Sequence, residues 1–328
     1  MMRRSGAIIV CSLALIGTAC GSMNTSNSGR PRATAPAQRN FSGLVDVGGG
    51  RKIFAECRGA GSPTVVLIDG KGNDAADWMQ VLAPDDPAHN APGDDLATGA
   101  GKLQRSAAAV FPSVARFTRV CAYDRPDVRT GADATTPRKQ PHTVNLDVSD
   151  LHALLTALGE HGPYVLVAHS YGGLIAELYA RTYPKSIGGL VMVDTVTELM
   201  EKVASPAQIA NWNATNAVTS PQVREGVELI NAFNQLNAAP SMPKVPAVVL
   251  SADKPWRIDL LPPEARQGDM VTFAGWLASL DRLAAALGAR HIMMTNSGHD
   301  IYLYSPQLVI NAIHGVVGDV RRHKPSSA

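Results

Sequence analysis

An excess of charge of either sign is missing from this chain. Its 30 Lys and Arg stand against 28 Asp and Glu, and charged residues make up only 18% of the whole. A nucleic-acid binder usually carries a clustered basic stripe. The one short basic cluster here, Arg321, Arg322 and Lys324, lies at the C-terminus and reads as a solvated tail, so no nucleic-acid partner is expected. Cysteine is also scarce: four residues are too few for a disulfide scaffold, and no CxxC pair or Cys/His spacing suggests zinc. Long apolar runs are missing as well, the longest at the N-terminus being too short to span a bilayer comfortably. What is abundant is apolar residue, at 45%, and with balanced charge that excludes a disordered chain. The 328 residues fit two domains at most, or one large α/β domain with an inserted subdomain.

The N-terminus reads as an export leader. Arg3 and Arg4 precede an apolar run from Ala7 to Ile16, followed by Gly17-Thr18-Ala19-Cys20. The ending resembles the lipobox of bacterial lipoproteins, with Gly17 where Leu is usual. That resemblance implies a signal peptide over 1–19 and a diacylated Cys20 as the mature N-terminus. The alternative is plain secretion by cleavage near Ala19. Residues 20–40 are rich in Ser, Asn, Gly, Pro and Ala without an apolar period, which suits a flexible tether. An exported protein held on the extracytoplasmic face of the cell membrane, or secreted, is expected. Losing the leader also removes Arg3 and Arg4, leaving 30 − 2 = 28 basic against 28 acidic residues.

From Arg51 onward, apolar strand-like runs alternate with helical stretches, the pattern of an α/β sheet. Strands are expected at Leu44–Val47, Arg51–Cys57, Thr64–Ile68, Phe117–Tyr123, Tyr164–Ala168, Gly189–Val193, Ala247–Ser251 and Ala289–Thr295. Several are unbroken Val/Ile/Leu runs, as in parallel strands buried on both faces. Helical spacing appears at Leu146–Leu158, Gly172–Tyr183 and Pro306–Val320. Ala83 to Lys102 reads as a surface insertion. Amphipathic pieces at Ser205–Asn213 and Gln222–Leu236 fall between the sixth and seventh strands, the position of a cap.

The chemistry concentrates at Val165-Leu166-Val167-Ala168-His169-Ser170-Tyr171-Gly172-Gly173. A strand that turns abruptly into a helix around a serine, with small residues two positions to either side, is a nucleophile elbow. Ser170 would need an imidazole to take its proton. Among nine histidines, His299 stands on a loop between the last strand and the final helix, at the carboxyl edge of the sheet with the elbow. His169 adjoins Ser170 on a tight turn that points it elsewhere, and His291 begins a strand.

On these motifs, together with Val120-Cys121-Ala122-Tyr123-Asp124-Arg125, the chain resembles an α/β-hydrolase from about Arg51 to Val320. The resemblance implies a mostly parallel eight-stranded sheet with helices on both faces and a helical cap inserted after strand 6, at about 195–243 within a domain over 41–328. It departs in having Asp69-Gly70 where His-Gly is usual, and Pro126 to Thr130 in place of a Gly-rich segment. The triad acid is implied to be Asp194, after the sixth strand, with Asp253 as the alternative. Asp253 comes early for the family's spacing after the seventh strand, where Pro255 occupies the usual Asp position. The oxyanion donors are implied to be the backbone amides of Lys71 and Tyr171.

In the family's sheet order the second strand neighbours the fourth and runs antiparallel to it, which implies a Cys57–Cys121 disulfide in an oxidising compartment. The expected activity is hydrolysis of a small-molecule carboxylic ester or related acyl compound, without metal or organic cofactor. A peptidase, a thioesterase, a carbon–carbon bond hydrolase or a non-catalytic envelope protein on the same fold are the alternatives.

Overall fold

The computed structural model describes residues 39–94, 96, 101–260 and 270–323. The leader, Cys20 and the tether up to residue 38 lie outside the described residues.

Eight strands form the central sheet: β1 (Phe41–Gly48), β2 (Arg51–Arg58), β3 (Val65–Ile68), β4 (Val120–Tyr123), β5 (Tyr164–His169), β6 (Ile187–Val193), β7 (Ala247–Leu250) and β8 (Arg290–Ile292). Their spatial order is β1-β2-β4-β3-β5-β6-β7-β8. β2 runs antiparallel to both of its neighbours, and every other pairing is parallel. This is the α/β-hydrolase sheet anticipated above.

Alternation along the strands divides the core. Val66, Ile68, Leu166, Ala168, Leu190 and Met192 pack on one face. Their neighbours Val65, Leu67, Val165, Val167, Val191 and Val193 pack on the other. Both faces are buried, which is why these strands read as unbroken apolar runs.

The first face is covered by α2 (Val144–Ala157), α3 (Gly172–Thr182), α5 (Leu229–Ala238) and α6 (Phe273–Leu287). The second is covered by α1 (Val110–Val114), α7 (Ile301–Tyr304) and α8 (Pro306–His323). α4 (Pro206–Ala217) starts with Pro206 behind a Ser205–Gln208 capping box, two orphan backbone donors being satisfied reciprocally. No helix among the described residues is long and apolar enough to cross a membrane.

Several expectations need correction. The fourth strand starts at Val120 and not Phe117, because the amides of Phe117 and Thr118 turn back to Val114 O at the end of α1. The last strand is confined to Arg290–Ile292, and Met293 and Met294 are exposed beyond it. α6 was not anticipated, although Phe273, Trp276, Leu280, Leu283 and Leu287 have helical spacing; Thr272 caps its start and left-handed Gly288 ends it. The Ala83–Lys102 stretch is not simply superficial, since Ala83, Ala88 and the fully buried Asp94 pack inward. Arg321 and Arg322 are exposed, as expected of a solvated cluster, but they belong to α8, where Arg321 donates to Ser62 O and Phe117 O; Lys324 lies outside the described residues.

Cys57 and Cys121 face each other in the antiparallel β2–β4 register and form a disulfide, with Cα atoms 4.1 Å apart.

Candidate active site

Ser170 occupies the turn between β5 and α3 with φ = +50°, a left-handed conformation that costs a non-glycine residue energy. The surroundings impose it. At Gly172 an added Cβ would lie 2.5 Å from Ile68 O and 2.7 Å from Asp69 O, so only glycine lets the start of α3 approach the loop after β3 this closely. The serine is held partly exposed at the carboxyl edge of the sheet, its C=O accepting from Val196 N (2.9 Å).

His299 reaches the same edge from the loop after β8. Its Nδ1 lies 2.7 Å from Oδ2 of Asp194, a fully buried residue just past β6 with φ = +44°. The other oxygen, Oδ1, accepts from Ala252 N (2.9 Å), so both Asp194 oxygens are engaged. A carboxylate on Nδ1 places the ring proton there and leaves Nε2 as the basic nitrogen. Burial pulls the His299 pKa down, but the Asp194 hydrogen bond and charge, helped by Asp300 and Asp94, outweigh it and hold the imidazole at about 8.

Asp253 does not meet His299. It accepts from the backbone N–H groups of Thr295 (3.1 Å), Asn296 (3.0 Å) and Ser297 (2.9 Å), and so braces the loop that carries the histidine. Asp94 does the same from the other side, its Oδ2 accepting from His299 N at 2.7 Å. An added Cβ at Gly298 would lie 2.1 Å from that carboxylate, which explains the glycine of Ser297-Gly298-His299. His169 is buried and neutral: burial first, then the His299 charge, lowers its pKa well below the ordinary value. Its Nε2–H donates to His299 O at 3.2 Å, a third support for the same loop.

The loop Asp69-Gly70-Lys71-Gly72 faces Ser170 across a cavity of about 220 Å³. Lys71, Ser170, Tyr171 and His299 line it, with Trp212, Trp256 and Trp276 forming its aromatic wall. Among the described residues, neither the Lys71 nor the Tyr171 backbone N–H donates to another protein group. Arg125, just past β4, is buried behind the loop. It donates to Asp69 O (2.8 Å) and Gly70 O (2.5 Å), and pairs with buried Glu225 at 2.6 Å. Asp69, in the position where the resemblance places His, is buried with Oδ2 unpartnered, and burial raises its pKa well above the carboxylate range.

Two other features invite comparison. A larger groove of about 930 Å³ is lined by Pro163, Gly188, Pro246 and Gly288, all at the amino ends of strands, the edge opposite Ser170 and His299. In α/β sheets chemistry gathers at the carboxyl edge, so its size does not make it the site. A second Ser/His/Asp set also exists: Ser251 Oγ is 2.5 Å from His291 Nε2, and His291 Nδ1 is 2.9 Å from Asp281. Ser251 is fully buried and lacks the left-handed backbone of Ser170, so its hydroxyl is not presented to a substrate.

The structure therefore brings Ser170, His299, Asp194, Lys71 and Tyr171 to one place and leaves Asp253 as a brace. Sequence reasoning missed Asp94, Glu225 and the three tryptophans. The helical period of α6 could have found Trp276; nothing local marks Asp94 or Glu225.

Comparison with known proteins agrees with this fold. The model of the alpha/beta hydrolase family matches residues 75–312, well over half of the chain. An uncharacterized protein of Schizosaccharomyces pombe is 29% identical over 149 residues, covering 44% of this chain and 26% of that protein. Lipase LipV of Mycobacterium tuberculosis is 39% identical over 64 residues, 20% of this chain and 24% of the lipase. This chain thus spans about a quarter of the length of these relatives. Among solved structures, a lipase candidate from Acinetobacter baumannii AYE aligns over 87% of this chain and 93% of its own, with TM-score 0.53 and 17% identity. A thermophilic esterase from Thermogutta terrifontis aligns over 86% and 99%, with TM-score 0.50 and 17% identity. At this identity the structural likeness speaks to the fold alone.

Proposed function

This chain belongs to the alpha/beta hydrolase family, and we propose that it is a serine hydrolase of small carboxylic esters or related acyl compounds. The observation that carries the reading is a strained, partly exposed Ser170 sharing one cavity with a His299 whose Nδ1 is engaged by buried Asp194. In the proposed reaction Ser170 Oγ attacks the acyl carbon while His299 Nε2 takes its proton. The developing oxyanion is received by the Lys71 and Tyr171 amides. His299 then protonates the leaving oxygen, giving an acyl-enzyme and a free alcohol. Water, deprotonated by the same imidazole, releases the acid and restores Ser170. Asp194 holds the ring in the required tautomer throughout.

The cavity supports a compact substrate. Its 220 Å³ lies below the roughly 300–1,000 Å³ of pockets for drug-sized ligands, and its wall includes the indoles of Trp212, Trp256 and Trp276. Short acyl groups should be turned over faster than long ones. A fluorophosphonate probe tests the reading: the wild type should label, Ser170→Ala should not, and p-nitrophenyl acetate should be cleaved with higher kcat/KM than the laurate. Persistent labelling of Ser170→Ala would move the nucleophile elsewhere, and no labelling of the folded wild type would end the hydrolase reading.

Export and lipid attachment at Cys20 belong to the same proposal. The Cys57–Cys121 disulfide supports an oxidising compartment.

A further inference from the structure

The peptide unit joining Gly70 to Lys71 carries both a backbone carbonyl and the proposed oxyanion donor. Because the unit is planar and trans, its C=O and N–H point in opposite directions. Whatever fixes the Gly70 oxygen therefore aims the Lys71 N–H.

Arg125 fixes it. Its Nη2 donates to Gly70 O at 2.5 Å and its Nη1 to the preceding carbonyl, Asp69 O, at 2.8 Å. Glu225 completes the grip: its Oε2 accepts from Gly72 N at 2.7 Å, while its two oxygens receive Arg125 Nε (2.6 Å) and Nη2 (3.0 Å). Lys71 is thus bracketed on both sides by one fully buried ion pair, with side chains 1% and 0% exposed. The guanidinium also lies 5.5 Å from the ring centroid of Tyr171, the second donor residue, whose phenol donates to Asp147 at 2.7 Å.

We propose that Arg125 and Glu225 are positioning residues for the oxyanion donors, aiming the Lys71 N–H into the cavity and polarising it through the Gly70 carbonyl. The inference rests on the serine-hydrolase reading above. A buried ion pair is a poor source of stability, since apolar residues of similar volume often serve as well. Its presence here has a functional explanation: a cation on the oxygen of a peptide strengthens the hydrogen bond its N–H can give. Burial opposes the Glu225 charge, but the Arg125 charge, the nearby His142 ring and the hydrogen bonds from Arg125 and Gly72 hold its pKa at about 2, so the pair stays ionised at working pH. Glu225 lies between α4 and α5, so the segment forming part of the cavity wall also supports the donor loop.

The test uses the double variant Arg125→Met/Glu225→Met, which removes the grip without stranding one buried charge. It should fold, with a lowered melting temperature because Asp69 O, Gly70 O and Gly72 N lose their partners. On p-nitrophenyl acetate its kcat should fall about 10²-fold with KM within threefold, the cost of a weakened oxyanion donor. Inhibition by a boronic acid transition-state analogue should weaken by a similar factor. Arg125→Lys, which keeps the charge but cannot span both carbonyls and Glu225, should lose about tenfold in kcat. If the double variant fails to fold, Arg125→Lys decides on the same measurements. A folded variant with kcat within threefold of wild type, or a loss confined to KM, overturns the inference. A wild type that labels with fluorophosphonate while the variants keep full kcat defeats this inference alone. A folded wild type that does not label removes the hydrolase reading and this one with it.

Discussion

At Asp194 and Asp253 the difference between orienting a catalytic ring and holding a loop comes down to which atoms each carboxylate reaches. Asp194 touches His299 Nδ1; Asp253 touches three amides of the chain leading to it. Asp194→Asn should lower kcat on a short p-nitrophenyl ester by about 10⁴, because an amide favours the wrong tautomer. Asp253→Asn should cost far less, since the reacting atoms keep their partners. The pH profile separates them further. His299 must be neutral to accept the serine proton, so kcat/KM of the wild type should rise with pH through about 8. Removing the Asp194 charge leaves burial as the dominant influence, and the residual limb should move to lower pH. An unshifted limb, or equal losses in the two variants, would contradict these roles. Asp194 was legible beforehand only as one of two candidates, because a strand-end carboxylate looks the same in sequence whichever contact it makes.

Elements were more legible than contacts. Strands buried on both faces announce themselves as apolar runs, as at Val65–Ile68, Tyr164–His169 and Ala247–Leu250, and each of the eight main-sheet strands overlaps an expected one. Their ends did not all coincide, because amides at 117–118 satisfy α1 and not the sheet. α6 went unread though its period is regular, and with it Trp276, whose ring meets that of His299 edge-on at 5.4 Å between centroids. The disulfide joins β2 to β4, two elements 64 residues apart in sequence. Closing a loop of that length in the unfolded chain is worth about 4 kcal/mol in the chain-entropy account. Reduction, or Cys57→Ala/Cys121→Ala, should lower the melting temperature by on the order of 10 °C. Unreduced, denatured protein should offer neither thiol to an alkylating reagent. Two alkylated cysteines at these positions would show that the bond is not made.

For the whole molecule, the reading proposed above makes the first residues an address and the rest a hydrolase domain. Protein from the membrane fraction of an expressing bacterium should begin at Cys20 and carry extra acyl mass, and Cys20→Ala should shift it to the soluble fraction. A mature chain beginning elsewhere, without added lipid, would reject the anchor. An attached molecule is also a mechanical object. The described chain enters the sheet through β1, and in the β1–β2 register Phe41 lies opposite Cys57. Tension arriving at Phe41 therefore meets, one strand inward, the residue bonded covalently to β4. Pulling could peel β1 away one hydrogen-bonded pair at a time, but the covalent link would arrest the tear at β2 and pass the load to β4, before the tear reaches the strands that lead to Ser170, Asp194 and His299.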